Sequence, residues 1–209
     1  KVDKNELIED GEKRAKDTPI DKISEYNPVK RDAVKMIEAQ EATMIPELLP
    51  LRHERMMKNA FTFLRGTAGI MEYDILNGSK QSNIPVMICG DAHLNNFGFF
   101  ASPERQLLFG LNDFDETRVD NWESDLKRLM VSAELIGELN GYDEEENHKI
   151  LEKTADSYEN GIEYANGLEL LDRHYLAYNI KDLLNLVSDD DQMTKVLEKI
   201  AKRAPKNNS

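Results

Sequence analysis

Two segments of this chain carry more functional side chains than packing requires. Gly90-Asp91-Ala92-His93-Leu94-Asn95-Asn96-Phe97-Gly98 and Leu111-Asn112-Asp113-Phe114-Asp115-Glu116 each follow a short apolar run, so each begins where a strand would deliver the chain into a loop. Functional groups concentrate on loops that a rigid scaffold holds in place. Together the segments offer carboxylates at Asp91, Asp113 and Asp115 and an amide at Asn96. Phosphoryl transfer needs such a set: one carboxylate to orient or deprotonate an acceptor hydroxyl, and oxygen ligands to hold Mg²⁺ on the phosphates. Asp and Asn also favour turns, because their side chains hydrogen-bond nearby backbone. That explanation would suffice for Asp91 and Asn96 alone; the addition of Asp113 and Asp115 favours the chemical one. His93 is open between a chemical role and a hydrogen bond to loop backbone. Arg65 is open between bidentate pairing with a phosphate or the catalytic carboxylates and an ion pair with Asp74 or Glu72.

The elements that must position these residues can be read from periodicity and punctuation. Residues 1–26 are polar with little apolar periodicity and read as an arm; residues 27–209 read as one domain. Asn27-Pro28 reads as a helix start, with Val34, Ile37 and Met44 recurring at helical spacing up to Ile45-Pro46. Further helices are predicted over 47–59 and 67–75, the latter stopping at Asn77-Gly78. Val86–Cys89, Phe97–Phe100 and Leu107–Leu111 then read as short strands. After Asp120 the pattern is helical again, with Leu126, Leu129, Met130, Ala133 and Ile136 on one face and Asn140-Gly141 as the stop. A helix over 143–166 and a last one capped by Ser188 complete the chain, and Asp189-Asp190-Asp191 reads as helix-start electrostatics rather than a calcium loop. The fold class is α+β, mostly helical, around a small β element whose loops hold the unusual residues.

Composition narrows the partners. The chain has 209 residues and a formal charge of −13, from 27 basic and 40 acidic side chains. Such a surface disfavours nucleic acid, which needs clustered Lys and Arg. The single cysteine, Cys89, excludes an internal disulfide and any multi-cysteine zinc site. No apolar run reaches the roughly 18–20 residues that cross a bilayer, and no signal peptide is visible, so no membrane partner and a cytoplasmic location are expected. The chain opens with Lys1 rather than Met, which makes the missing leader a weak argument.

The motifs resemble two known groups. Asp91 and Asn96 are five residues apart with His93 between them, which is similar to the H-G-D-x-H-x-x-N loop of aminoglycoside-phosphotransferase-like kinases. Asp113, some twenty residues on, matches their metal-binding aspartate. Trp122-Glu123-Ser124-Asp125-Leu126-Lys127-Arg128-Leu129 resembles the helix that follows it, with Asp125 placed to brace the catalytic loop. Cys89 stands where those kinases carry histidine, and Asn112-Asp113-Phe114-Asp115 is not D-F-G. The nearer likeness is to the bacterial family DUF2252. It is carried by Phe61-Thr62-Phe63-Leu64-Arg65-Gly66-Thr67-Ala68, then the two loop segments, then Asp125–Leu129, in that order over roughly residues 28–205.

These resemblances imply Asp91 as catalytic base, Asn96 and Asp113 as ligands of a Mg²⁺ that carries ATP, and Asp115 as an assisting ligand. They imply the fold of a kinase C-terminal lobe, acting on a small-molecule hydroxyl. The chain contains no G-x-G-x-x-G and no V-A-I-K-like strand. It is therefore expected to be a fragment or shortened member, poorly active by itself. A non-catalytic binding module is the first alternative, pairing with a second copy or a missing lobe. A metal-dependent phosphoesterase is the second, since Asp91-Ala92-His93 resembles the D-x-H ligands of binuclear enzymes; only His148 and His174 follow as further histidines.

Overall fold

In the computed structural model, residues 3–188 and 190–203 are described. Helices α1 (Lys4–Asp17), α2 (Ile20–Ser24), α3 (Ala33–Glu41), α4 (Leu49–Met56), α5 (Ala60–Arg65) and α6 (Ala68–Gly78) precede strand β1 (Pro85–Ile88). Strands β2 (Phe97–Ala101), β3 (Leu107–Leu111) and β4 (Arg118–Asn121) lead into α7 (Glu123–Leu139) and α8 (Glu144–Gly167). Then come α9 (Leu170–His174), β5 (Tyr178–Asn179), α10 (Ile180–Leu186) and α11 (Asp191–Arg203). The class is the expected mostly helical α+β with small antiparallel sheets. Among the described residues no helix is long and apolar enough to cross a membrane.

The chain divides into two units, Lys1–Leu94 with Phe114–Ala155 and Asn95–Asp113 with Asp156–Ser209. In the first, β1 pairs antiparallel with β4, Ile88 opposite Arg118, and α7 packs on α5 and α6. Its core holds Met56, Phe61, Ile70, Ile75, Ile88 and Ala133. In the second, β2, β3 and β5 form an antiparallel sheet with Phe97 opposite Leu111. Phe109 stacks there against Phe97 and Phe99.

Several elements depart from expectation for identifiable reasons. The polar arm contains α1, which buries no residue and so shows no apolar stripe. Its supports are local: Asp3 accepts from the Asn5 backbone N–H, and Arg14 pairs with Asp10 one turn earlier at 2.7 Å. Asn27 does not start a helix. Its N–H donates to the Gly78 carbonyl at 2.8 Å, closing the end of α6, while α3 starts at Ala33 under an Asp32 cap. The helix expected over 47–59 ends at Met56, and Asn59 caps α5 instead. The Asn59 side chain accepts from the Thr62 N–H at 2.8 Å, and the Thr62 hydroxyl accepts from the Asn59 N–H at 3.1 Å. Asp190, not Ser188, caps the last helix, accepting from the Gln192 and Met193 N–H groups; Asp189 lies outside the described residues.

The largest departure is on α7. Leu126, Leu129, Met130 and Ile136 are half-buried, whereas Glu123, Arg128 and Ser132 are deeply buried beside Ala133. The most buried positions of this helix are largely polar, so of the expected apolar face only Ala133 is fully buried.

Because Asn59 both ends one turn and caps the next helix, Asn59→Ala is expected to lower stability by about 1 kcal/mol and Asn59→Ser by much less. Urea denaturation of the three proteins checks this; equal midpoints for Ala and Ser would remove the cap from the account.

Candidate functional site

The Asp91 loop leaves β1 at Ile88 and is fastened at once. The Asp125 carboxylate accepts from two successive backbone N–H groups, Cys89 at 2.7 Å and Gly90 at 2.9 Å. Asp125 thus braces the loop from the helix that follows the second motif. Gly90 sits at φ +84°, and a Cβ there would lie 2.3 Å from the Glu116 carbonyl oxygen. Only glycine allows both the left-handed turn and that close approach.

Asp91 itself is held by Arg128. Its Oδ1 accepts from Arg128 Nε at 2.7 Å and Nη2 at 2.6 Å. The guanidinium is 3% exposed, and Nη2 also donates to the Leu64 carbonyl at 2.7 Å, at the end of α5. One turn further along α7, the Ser132 hydroxyl accepts from the Leu94 N–H at 3.0 Å. Asp125, Arg128 and Ser132 lie at helical spacing on one stripe, and they grip Cys89 and Gly90, then Asp91, then Leu94. Glu123, two residues before Asp125 and off that stripe, adds a further hold, its two oxygens accepting from the Ser82 N–H and hydroxyl.

His93 is buried beside Asp91. Its backbone N–H donates to the Asp91 carbonyl at 2.9 Å, while Nε2 stands 3.6 Å from Asp91 Oδ2. The Phe61 ring meets the imidazole edge-on, and Nδ1 is buried with no partner among the described residues. Burial pulls the His93 pKa below its ordinary value, and the charges of Arg128 and Arg65 add to this; Asp91 opposes them and is outweighed. Burial thus favours the neutral ring, which lies against the Asp91 carboxylate, while the hydrogen bond to loop backbone is made by the His93 backbone N–H rather than by the imidazole.

Asn96 and Asp113 belong to the second unit. The pairing of Phe97 with Leu111 puts Asn96 just before one strand and residues 112–113 just after its partner. Asn96 is buried, its side-chain amide nitrogen donating to the Asp113 backbone carbonyl at 3.3 Å and its backbone carbonyl accepting from the Asn112 N–H at 2.9 Å. Asp113 is exposed. Asp115 is exposed in the first unit, within the turn that the Thr117 N–H closes by donating to the Phe114 carbonyl. Among the described residues no group of three or more His, Cys, Asp or Glu side chains is gathered for a metal. The amide and carboxylate oxygens of Asn96 and Asp113 are nevertheless hard donors that suit Mg²⁺, which keeps several waters and takes only one or two protein carboxylates.

Arg65 is exposed at the end of α5. Its ion-pair alternatives are excluded because both acids are engaged elsewhere. Asp74 receives two hydrogen bonds from Arg31, at 2.5 and 2.6 Å, and Glu72 pairs with Arg118 at 2.8 Å. His148 lies 3.3 Å from Glu152 on α8, and His174 packs edge-on against Tyr175, so neither joins His93 in a metal centre. The residues that sequence reasoning left without a role are Arg128, Ser132 and Glu123. The signal available was a run of polar side chains at one-turn spacing in the helix after the second motif.

A family model described as an uncharacterized protein conserved in bacteria (DUF2252) matches residues 44–209. No curated protein and no solved structure matches the chain.

Two outcomes follow from this geometry. Arg128→Met leaves Asp91 buried without its counter-charge and is expected to cost about 3–5 kcal/mol, whereas Arg128→Met with Asp91→Asn is expected to recover a large part of it. Urea unfolding of the single and double variants measures the coupling, and simple additivity would refute it. His93 binds a proton less readily folded than unfolded, so stability is fully present above its ordinary pKa of 6.5 and declines as pH falls below that value. His93→Gln is expected to flatten the denaturation midpoint between about pH 7 and 5 relative to the parent. An unchanged slope would show that other groups set it.

Proposed function

We propose that this chain, which belongs to the DUF2252 family, carries the catalytic and metal loops of a kinase-like phosphotransferase that moves the ATP γ-phosphoryl group to a small-molecule hydroxyl. The observation that carries this reading is the clamp on Asp91, a carboxylate fixed at a strand end by Arg128 while Asp125 fixes the two residues before it. Phosphoryl transfer leaves the protein little covalent chemistry to do, so rigid placement of one acceptor-orienting carboxylate is the feature it needs.

Roles are assigned residue by residue. Asp91 orients the acceptor hydroxyl; as the new oxygen–phosphorus bond forms and the bond to ADP breaks, the hydroxyl proton passes to this carboxylate. Asn96 and Asp113 would hold Mg²⁺, with Asp115 assisting, and the ion would supply charge neutralisation on the phosphates. His93, neutral against Asp91, orients it rather than donating a proton. Arg65 offers an exposed guanidinium to phosphate oxygens. The kinase-lobe likeness rests on these spacings.

A second reading is favoured by one specific observation. A carboxylate that receives two bonds from a buried guanidinium also serves as a structural clasp, as in a kinase-like module that binds without transferring. The two readings separate experimentally. Calorimetric titration of Mg·ATP is expected to show binding that needs the metal, weakens about tenfold or more in Asp113→Asn, and persists in Asp91→Asn. Equal binding by the parent and Asp113→Asn, or none by either, would overturn the nucleotide site. Transfer to an acceptor that continues undiminished in Asp91→Asn would remove that residue from the chemistry.

A further inference from the structure

The first unit contains a cavity of about 800 Å³ between α5, α6 and α7 that none of the assigned loop residues lines. Met56, Phe63, Ile70, Met71, Met130 and Leu135 supply apolar wall. Met57, Phe63 and Val131 also line it and are exposed to solvent. Its size falls among the roughly 300–1,000 Å³ clefts that hold small molecules.

Apolar lining alone does not name an occupant; the charges do. The ionised side chains lining the cavity are Arg31, Asp74 and Lys127. Arg31 and Asp74 cancel through two short hydrogen bonds. Lys127 is half-buried, and its ammonium makes one hydrogen bond, to the neutral Ile23 carbonyl at 2.8 Å, with no ion pair among the described residues. Its acidic neighbour one turn back, Glu123, has both oxygens on Ser82. An ammonium has three donors, and burying its charge without a counter-ion is costly. Burial indeed draws the Lys127 pKa below its ordinary value, against the opposing pull of Glu123.

We propose that this cavity binds an amphiphilic carboxylate, with an acyl or aryl body against the methionine and aromatic wall and one acid group received by Lys127. The methionines suit a body of variable shape, because their flexible thioethers repack around what they hold. The site is separate from the Asp91 loop and stands whether or not the chain transfers phosphate.

The test uses the full chain and three probes below their micelle concentrations: dodecanoate, dodecanol and dodecyltrimethylammonium. Calorimetry is expected to give saturable binding of dodecanoate, about tenfold weaker binding of dodecanol and none of the cation. Lys127→Met, with unchanged circular dichroism, should bring dodecanoate down to the level of dodecanol and leave dodecanol unaffected. Lys127→Arg should restore the preference. Val131→Trp, at a partly exposed position, should fill the cavity and weaken both ligands. The proposal is overturned if no probe saturates, if dodecanol matches dodecanoate on the parent, if Lys127→Met keeps the preference, or if Val131→Trp binds as the parent does.

Discussion

A guanidinium that is 3% exposed must find its counter-charge and its hydrogen-bond acceptors inside the protein, and the arrangement around Arg128 is the answer to that demand. Asp91 supplies the charge, the Leu64 carbonyl a further acceptor, and the Met71 sulfur lies 3.5 Å from Nη1. These partners come from the Asp91 loop, α5 and α6. Satisfying one side chain therefore fixes the rotation of α7 against all three. With that rotation fixed, Asp125 and Ser132 fall opposite the loop backbone, and Glu123 falls opposite Ser82. A hydrophobic stripe in the same place would have buried α7 as well, but it would have tolerated sliding and rotation that directional bonds forbid.

The charge near the loop runs against the charge of the whole. The chain is strongly acidic at −13, yet the groups that depress proton binding at His93 include Arg65 and Arg128. Arg128 is already neutralised by Asp91, so the exposed Arg65 is the cation near the loop left to meet an anion, in a protein that otherwise repels one.

Legibility from sequence followed the locality of the cause. Asn77-Gly78 marked the end of α6, Asn140-Gly141 the end of α7, and the strand at Leu107–Leu111 was bounded as read, because turn chemistry acts over a few residues. The bracing role of Asp125 was legible through its place after the second motif. Arg128 was not, although it stands three residues later. Its partner is 37 residues away, and a basic residue on a helix is ordinarily solvated. Asn27 shows the same limit: next to a proline it has the form of a cap, but its N–H closes a helix end at Gly78. Helix α1 escaped notice for the opposite reason, since a helix that buries nothing leaves no apolar trace.

The grip of α7 on the Asp91 loop also sets an order of events in folding. The bonds that hold the loop span 35, 36, 37 and 38 residues, and the one from Arg128 to Leu64 spans 64. During synthesis the loop emerges well before the helix that will hold it. Each of these contacts requires closure of a long segment before it returns any energy. The bonds from α7 to the loop therefore form only once that helix is in place. In the finished protein, any opening that lifts α7 breaks its bonds to Cys89, Gly90, Asp91 and Leu94 together.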